Sequence, residues 1–334
     1  MSALRILVLG GTRFVGRHIV DAFVAANAEV TLFHRGISDP SRRTDVGNVL
    51  GDRVEHLGAL REKDFDAVID TSGYTPDVVH RSARFFESRA NRYLFVSSLS
   101  VYDFARVHSD RMDEDAPLLD LPADVDPTVR TDEHYGALKT LCESEVRETF
   151  GERAAILRLG LVAGPHDPTD RFTYWVLRAA AGGEMLAPPA DRNIQYADAR
   201  DVAQFALTIV RDGIGGTYNV AAPPDAYTFG DLIAECARVS GAHPNTRWVE
   251  ESVLIDNGVQ PWSELPLWIP RGDAAAALLR ATPERAVARG LQCTPLAQTV
   301  RDTFAWASNA RTLDALQAGL SRSREKELLE AAGR

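Results

Sequence analysis

The residues best suited to chemistry are Tyr135 and Lys139, in the run Tyr135-Gly136-Ala137-Leu138-Lys139. Four positions apart in a helix-compatible stretch, they stand one turn apart on the same face, so their polar ends can serve one site. A phenol titrates near a pKa of about 10, and holding it partly ionised near neutrality takes a shift of about 3 units, roughly 4 kcal/mol. A lysine ammonium beside it favours the phenolate by Coulomb attraction. A phenol tuned in this way can pass a proton to or from an alcohol or carbonyl oxygen. The same spacing also occurs on plain solvated helix faces, so it gains weight only with other features.

The first such feature is at the start of the chain. The apolar run 5–9 ends in Gly10-Gly11-Thr12-Arg13-Phe14-Val15-Gly16, and Ile19, Val20, Phe23 and Val24 follow at helical spacing. This reads as strand, glycine turn and helix. The glycines bring backbone N–H groups close to a ligand, and the helix N-terminus offers unsatisfied donors and partial positive charge to a pyrophosphate. Arg13 takes the place of the usual middle glycine; it suits a cofactor phosphate or adenosine, or is simply a surface cation.

The second strand, 29–33, leads into His34-Arg35-Gly36, with no carboxylate for a ribose 2′-hydroxyl. Arg35, with Arg13, His34 or Arg42 beside it, suits a 2′-phosphate, so NADP(H) is favoured over NAD(H), which stays open. A third strand exits at Asp52, which is placed to accept from an adenine amine or to cap a turn. A fourth strand, 66–70, is followed by Ser72 and Gly73, where cofactor-contacting loops lie in an open parallel sheet. A helix over 76–88 and a fifth strand, 92–96, lead to Ser97, Ser98 and Ser100, hydroxyls suited to a substrate oxygen. The acidic, proline-bearing stretch 110–132 reads as a long surface loop, the helix from Tyr135 runs to about Phe150, and a sixth strand covers 154–159.

Beyond Pro165 the pattern changes. The sequence predicts a helix up to Ala181, a loop over 182–189, a short strand over 193–196, a helix over 198–210 and a strand over 217–220. Helices follow over 229–239 and around Leu296, Val300, Phe304 and Ala307, and 322–330 reads as a charged helix with a solvated face. We expect a dinucleotide-binding domain over 1–165, with 193–222 returning to it. Residues 166–334 are then mostly a smaller substrate-binding domain and C-terminal helices.

Composition narrows the function classes. A formal net charge of -10 and a pI near 5.3 oppose nonspecific binding to nucleic acid or an anionic membrane. Cys142, Cys236 and Cys293 show neither CxxC nor metal-ligand spacing, so we expect a reducing compartment, no disulfide frame and no metal site. The apolar run 6–9 is too short for a signal peptide or a membrane span, and a cytoplasmic location is expected.

Taken together, the glycine turn, Val96-Ser97-Ser98-Leu99-Ser100-Val101-Tyr102, the Tyr135–Lys139 pair, Arg158 to Pro165, Gln195 to Ala203 and Gly216 to Val220 resemble the extended short-chain dehydrogenase/reductases. Within them the chain is similar to the NAD-dependent epimerase/dehydratase group and its atypical GGTRF-type members. The resemblance implies an α/β fold of Rossmann type, a doubly wound parallel sheet with a smaller C-terminal substrate domain. It implies hydride transfer at a carbonyl or secondary alcohol of a sugar nucleotide or related small molecule, and the NADP-like second strand favours reduction over epimerisation. It makes Tyr135 the general acid/base, has Lys139 lower its pKa and hold the nicotinamide ribose, and gives Ser98 the substrate oxygen, with Ser97 or Ser100 as alternatives. The backbone from Gly10 to Phe14 would cradle the pyrophosphate, Gly160, Leu161 and Val162 would pass near the nicotinamide, and Arg171, Phe172, Tyr174 and Arg192 would lie on the substrate side. Leu99 and Ser100 stand where the 4,6-dehydratases carry an Asp-Glu pair, which disfavours that elimination. Family members often pair through the helices corresponding to 76–88 and 135–150, so a homodimer stays open. The alternative is a nucleotide-sensing or RNA-binding relative without turnover.

Overall fold

The computed structural model describes residues 3–37 and 43–332; Arg42, a candidate for the 2′-phosphate, lies outside them. Two compact units divide the chain. The first comprises Met1–Gly160, Ala199–Val220 and Thr282–Gln292, and the second Leu161–Asp198, Ala221–Ala281 and Cys293–Arg334.

The first unit is built on a seven-stranded parallel sheet. Strands β1 (Arg5–Leu9), β2 (Glu29–His34), β3 (Gly47–Leu50), β4 (Phe65–Asp70), β5 (Ala90–Ser98) and β6 (Ala154–Leu159) are joined by Gly216–Val220 in the order Gly216–Val220, β6, β5, β4, β1, β2, β3. Strands β1, β4 and β6 are nearly all apolar because helices cover both faces, leaving no solvated side to alternate with. On one face, α2 (Pro76–Phe86) and α3 (Tyr135–Phe150) bury Val79, Phe86, Cys142 and Val146 against Leu7, Val68 and Phe95. On the other, α1 (Phe14–Ala25) packs beside the helix Ala199–Arg211. The order reverses between β1 and β4, so the turns after these two strands open at the switch point where ligands bind in such sheets. Residues 282–292, which the sequence assigned to the second domain, belong to this unit because the short helix Glu284–Val287 packs on Gly216–Val220.

The second unit gathers Trp175, Phe229, Trp268, Leu296 and Val300 into one core. Residues 182–189, expected to be a loop, contain the strand Glu184–Ala187, paired in parallel with Asn245–Trp248. Met185, Leu186 and Ala187 are buried, but a run of four is too short to show a period. The closing helix Arg322–Ala332 is likewise more than a solvated face. Its Glu325 is 3% exposed and accepts two bonds from Arg178 Nε, each 2.9 Å, and one from Leu186 N–H at 3.1 Å. Among the described residues no helix is long and apolar enough to cross a membrane.

Candidate active site

Tyr135, Lys139 and Glu143 fall on one stripe of α3, the face turned to the ends of β4 and β5. Gly136 makes this close packing feasible: a Cβ there would lie 1.9 Å from the Ser100 carbonyl oxygen, so any side chain would push the first turn of α3 off the turn that follows β5. The approach brings the Tyr135 phenol close to Ser98, whose hydroxyl acts on it. Ser98 Oγ also accepts from Ser100 N–H at 3.1 Å and lies 3.0 Å from Ser100 Oγ, so Ser98 and Ser100 form one hydroxyl pair beside the phenol. Burial raises the Tyr135 pKa above the ordinary value and the Tyr74 phenol adds to the rise, while the Ser98 hydroxyl and the Arg130 charge pull it back.

Lys139 is 2% exposed. Its Nζ donates to Gly73 O at 2.9 Å and Val96 O at 2.7 Å and sits 3.8 Å from the Phe95 ring centroid. Burial pushes its pKa down to about 8. Arg130 is a cation that acts on Tyr135, at 4.2 Å from the Tyr74 centroid and 6.0 Å from that of Tyr135. A buried ammonium must find acceptors, and the two carbonyls supply them. One of its three N–H groups is left over.

Ser97 faces the other way. Its hydroxyl donates to Glu143 at 2.6 Å, and Glu143 is held by Arg158 through Nε at 3.0 Å and Nη2 at 2.8 Å. Arg158 Nη1 donates to the Tyr102 hydroxyl, which donates to Asn219 Oδ1 at 2.6 Å. This buried chain ties α3 to β5, β6 and Gly216–Val220, with Ser97 as one of its links.

In the glycine turn, Gly10 N–H donates to Phe33 O at 3.0 Å and Gly11 N–H to Thr71 Oγ1 at 3.3 Å. Both glycines have positive φ, and a Cβ on Gly16 would lie 2.8 Å from Gly11 Cα, so α1 closes directly on the turn. No side chain caps α1 at Arg13, which leaves the first-turn N–H groups of Phe14, Val15 and Gly16 for an anion. Thr12 is half-buried; Arg13 and Arg35 are exposed.

His34 supports its own turn. Its Nδ1 accepts from Gly36 N–H at 3.1 Å, and its Nε2 lies 3.0 Å from Asn48 Oδ1. Asp52 caps its own turn, accepting from Val54 N–H at 2.8 Å. Next to it stands a residue the sequence reading missed: Arg53 donates to both oxygens of the fully buried Asp70 at 2.8 and 2.6 Å, reaches Ser82 at 2.7 Å and lies 3.4 Å from Ser72 Oγ. Ser72 Oγ itself donates to Leu9 O at 3.2 Å, fixing the end of β4 to that of β1.

The substrate-side candidates lie in the second unit. Phe172 and Tyr174 are core residues, 0% and 1% exposed, because the helix Arg171–Ala180 turns them inward, with a Gly319 Cβ position only 2.0 Å from the Tyr174 ring. Arg192 is committed to Ile269 O and Glu251, each at 2.7 Å. Arg171 is different. It stacks 5.3 Å from the centroid of Trp262, a residue held at φ +68°, and burial lowers its pKa. Nearby Asp167 is fully buried, with Oδ1 accepting from Thr169 N–H and Oγ1 at 2.8 Å each and Oδ2 without a partner. Leu161 and Val162 also lie here; Leu161 O accepts from Ala197 N–H at 2.7 Å, and Val162 pairs with Ala197.

A parallel doubly wound sheet with a glycine turn at its switch point defines a nucleotide-binding α/β protein. The profile of the NAD dependent epimerase/dehydratase family matches residues 6–221, and the chain belongs to that family. It is 25% identical over 263 residues to the Arabidopsis thaliana chloroplast stem-loop binding protein of 41 kDa b, covering 72% of this chain and 64% of that protein. It is 28% identical over 232 residues to a probable low-salt glycan biosynthesis reductase of Haloferax volcanii, covering 65% of this chain and 72% of that one. The fold is similar to the Thermus thermophilus UDP-glucose 4-epimerase in complex with NAD, with a TM-score of 0.63 and 19% identity over 92% of this chain and 100% of that one. The Bordetella bronchiseptica enzyme WbmH in complex with NAD+ gives 0.65 and 15% over 93% and 100%.

Proposed function

We propose that this chain is a nicotinamide-dependent enzyme that exchanges a hydride at a carbonyl or secondary alcohol carbon, with Tyr135 as the general acid/base. The observation that carries the reading is the seating of Tyr135 against Ser98, on the helix that also brings Lys139 to the ends of β4 and β5. The crowded turn at Gly10, Gly11 and Gly16, closed to any Cβ, fits a pyrophosphate, with the N–H groups of Phe14 to Gly16 as donors. A bound nicotinamide would supply or accept the hydride. Ser98 and Ser100 would hold the substrate oxygen, and the spare N–H of Lys139 would reach a ribose hydroxyl. A phenol whose pKa is raised stays protonated at neutral pH, which suits donation to an oxygen gaining negative charge. That supports net reduction over epimerisation.

The absence of a carboxylate after β2, with Arg35 exposed there, supports NADP(H) over NAD(H). Leu99, fully buried, stands where a 4,6-dehydratase would need an acid, which weighs against that chemistry. Similarity to a UDP-glucose 4-epimerase and to a glycan biosynthesis reductase supports a sugar nucleotide or related small molecule as substrate. The net charge of -10 weighs against the RNA binding that the chloroplast relative's name suggests.

Two measurements test the reading. Purified protein with NADPH or NADH and a carbonyl panel is expected to consume reduced nucleotide, and Tyr135→Phe to lower kcat/KM by about 10²–10⁴-fold; undiminished activity in that variant removes the phenol from the mechanism. Nucleotide released on denaturation separates the two modes: tightly held NAD points to an epimerase, an empty or NADP-filled site to a reductase.

A further inference from the structure

Six arginines stack on aromatic rings among the described residues, and four of them also have a polar partner in the chain. Arg89 donates to Arg61 O, Arg153 to the carbonyls of Glu87 and Ala90, Arg158 to Glu143 and Arg311 to Asp170. Arg130 and Arg171 have none among the described residues. For Arg130 this is unexpected on electrostatic grounds. The stretch from Asp110 to Glu133 offers nine carboxylates, yet the guanidinium sits over Tyr74 and beside Tyr135 instead of pairing with any of them.

A guanidinium lying on a ring keeps its N–H donors in its own plane, in a fork that matches the two oxygens of a carboxylate or phosphate. The ring beneath fixes its orientation without consuming a donor. Tyr74 follows directly on Gly73, whose carbonyl anchors Lys139, so the platform is tied to the same loop as the catalytic pair. We infer that Arg130 is the receptor for an oxyanion, carboxylate or phosphate, that the substrate carries within a few bonds of its reacting carbon. The inference rests on the proposed role of Tyr135, because closeness to that phenol is what sets the anion near the reacting carbon. It narrows the substrate to molecules with an acidic group beside the carbonyl or alcohol. Arg130 also lowers the pKa of the phenol, so an anion neutralising it would leave Tyr135 a weaker acid, more firmly protonated before transfer.

The test uses the full chain saturated with its nicotinamide nucleotide, so that the cofactor's own phosphate turn is filled. Malonate and inorganic pyrophosphate are titrated by calorimetry into wild type, Arg130→Gln and Arg130→Lys. The expected result is at least a tenfold weaker Kd for one or both anions in Arg130→Gln, partial recovery in Arg130→Lys, and nucleotide affinity unchanged in all three. A preference for malonate assigns a carboxylate substrate, and a preference for pyrophosphate a phosphorylated one. Equal affinities in wild type and Arg130→Gln, or no binding of either anion to wild type, overturn the inference. If no nucleotide binds at all, the proposed enzymatic function falls, while the same comparison on the free protein still decides whether Arg130 receives an anion.

Discussion

Asp70 and Asp167 are both fully buried carboxylates, and the two units treat them in opposite ways. Burial alone would raise the pKa of Asp70, but the Arg53 charge, its two hydrogen bonds, Ser72 N–H and the Tyr93 hydroxyl outweigh that and hold it below the usual carboxylate range. Asp167 has only the N–H and hydroxyl of Thr169 to offset its burial, and its pKa is pushed up to about 6. The polar groups around Asp70 partner one another. Those around Asp167 leave a carboxylate oxygen and a desolvated guanidinium, Arg171, unmatched, with His166, Asp170 and Trp262 held at positive φ around them. Unmet donors, acceptors and backbone strain of this kind persist where a ligand completes the set. The contrast sets a fully partnered carboxylate beside the sheet of the first unit against an incompletely partnered one in the loop at 164–171.

The largest expected effect comes from breaking the closed network. Arg53→Met strands Asp70 as an uncompensated buried charge and is expected to cost about 3–5 kcal/mol in urea unfolding at pH 7. A cost under about 1 kcal/mol would mean that Asp70 does not depend on its partner, and the contrast would fail on that side. The next effect has the opposite sign. The folded pKa of Asp167 lies above the ordinary 3.8, so the folded chain holds a proton that the unfolded chain has already lost between pH 3.8 and about 6. Stability therefore falls as pH rises through that window, and the penalty stands in full above about pH 6. Asp167→Asn is expected to stabilise by up to about 3 kcal/mol at pH 7.5 and by only about 0.5 kcal/mol at pH 4. A gain that does not change with pH would show that ionisation of this carboxyl is not its source.

How far each site was legible in the sequence follows the same division. The sheet, the glycine turn and the Tyr135–Lys139 helix were legible because each is local: a glycine where backbone must approach, an apolar run where both faces are covered, two polar residues one turn apart. Gly136, read only as part of the motif, turns out to be what lets α3 close on Ser100 O. What escaped were groups whose partners are distant in sequence. Arg53 reaches Asp70 and Ser82, Arg130 crosses to Tyr74, and Glu325 joins Arg178, and no periodicity reports such pairs. Side-chain partners escaped too: Ser97 and Ser98 are adjacent, but Ser97 donates to Glu143 and Ser98 to Ser100. Likewise Phe172 and Tyr174 share a segment with Arg171, and only a three-dimensional view tells core from open residue.

The smallest effect is the sharpest test of the division. Arg171→Met removes the stacking on Trp262, about 0.5–1 kcal/mol for a partly exposed pair. It also removes the favourable charge that Arg171 presents to Asp167, which tends to raise the Asp167 pKa further. Against these losses stands relief from burying a guanidinium that has no acid in contact, the cause of its lowered pKa. The terms nearly cancel, so the net change in unfolding free energy is expected within about 1 kcal/mol, several-fold below that of Arg53→Met. Combining Arg171→Met with Asp167→Asn isolates the charge term: the arginine substitution should be less costly in the Asn background, by about 0.5 kcal/mol or more, because residues in one network do not add. A cost near that of Arg53→Met would show that Arg171 is a structural ion-pair member after all. A near-neutral change in stability, coupled to a rise in KM for the substrate, is what an arginine held open for a ligand produces.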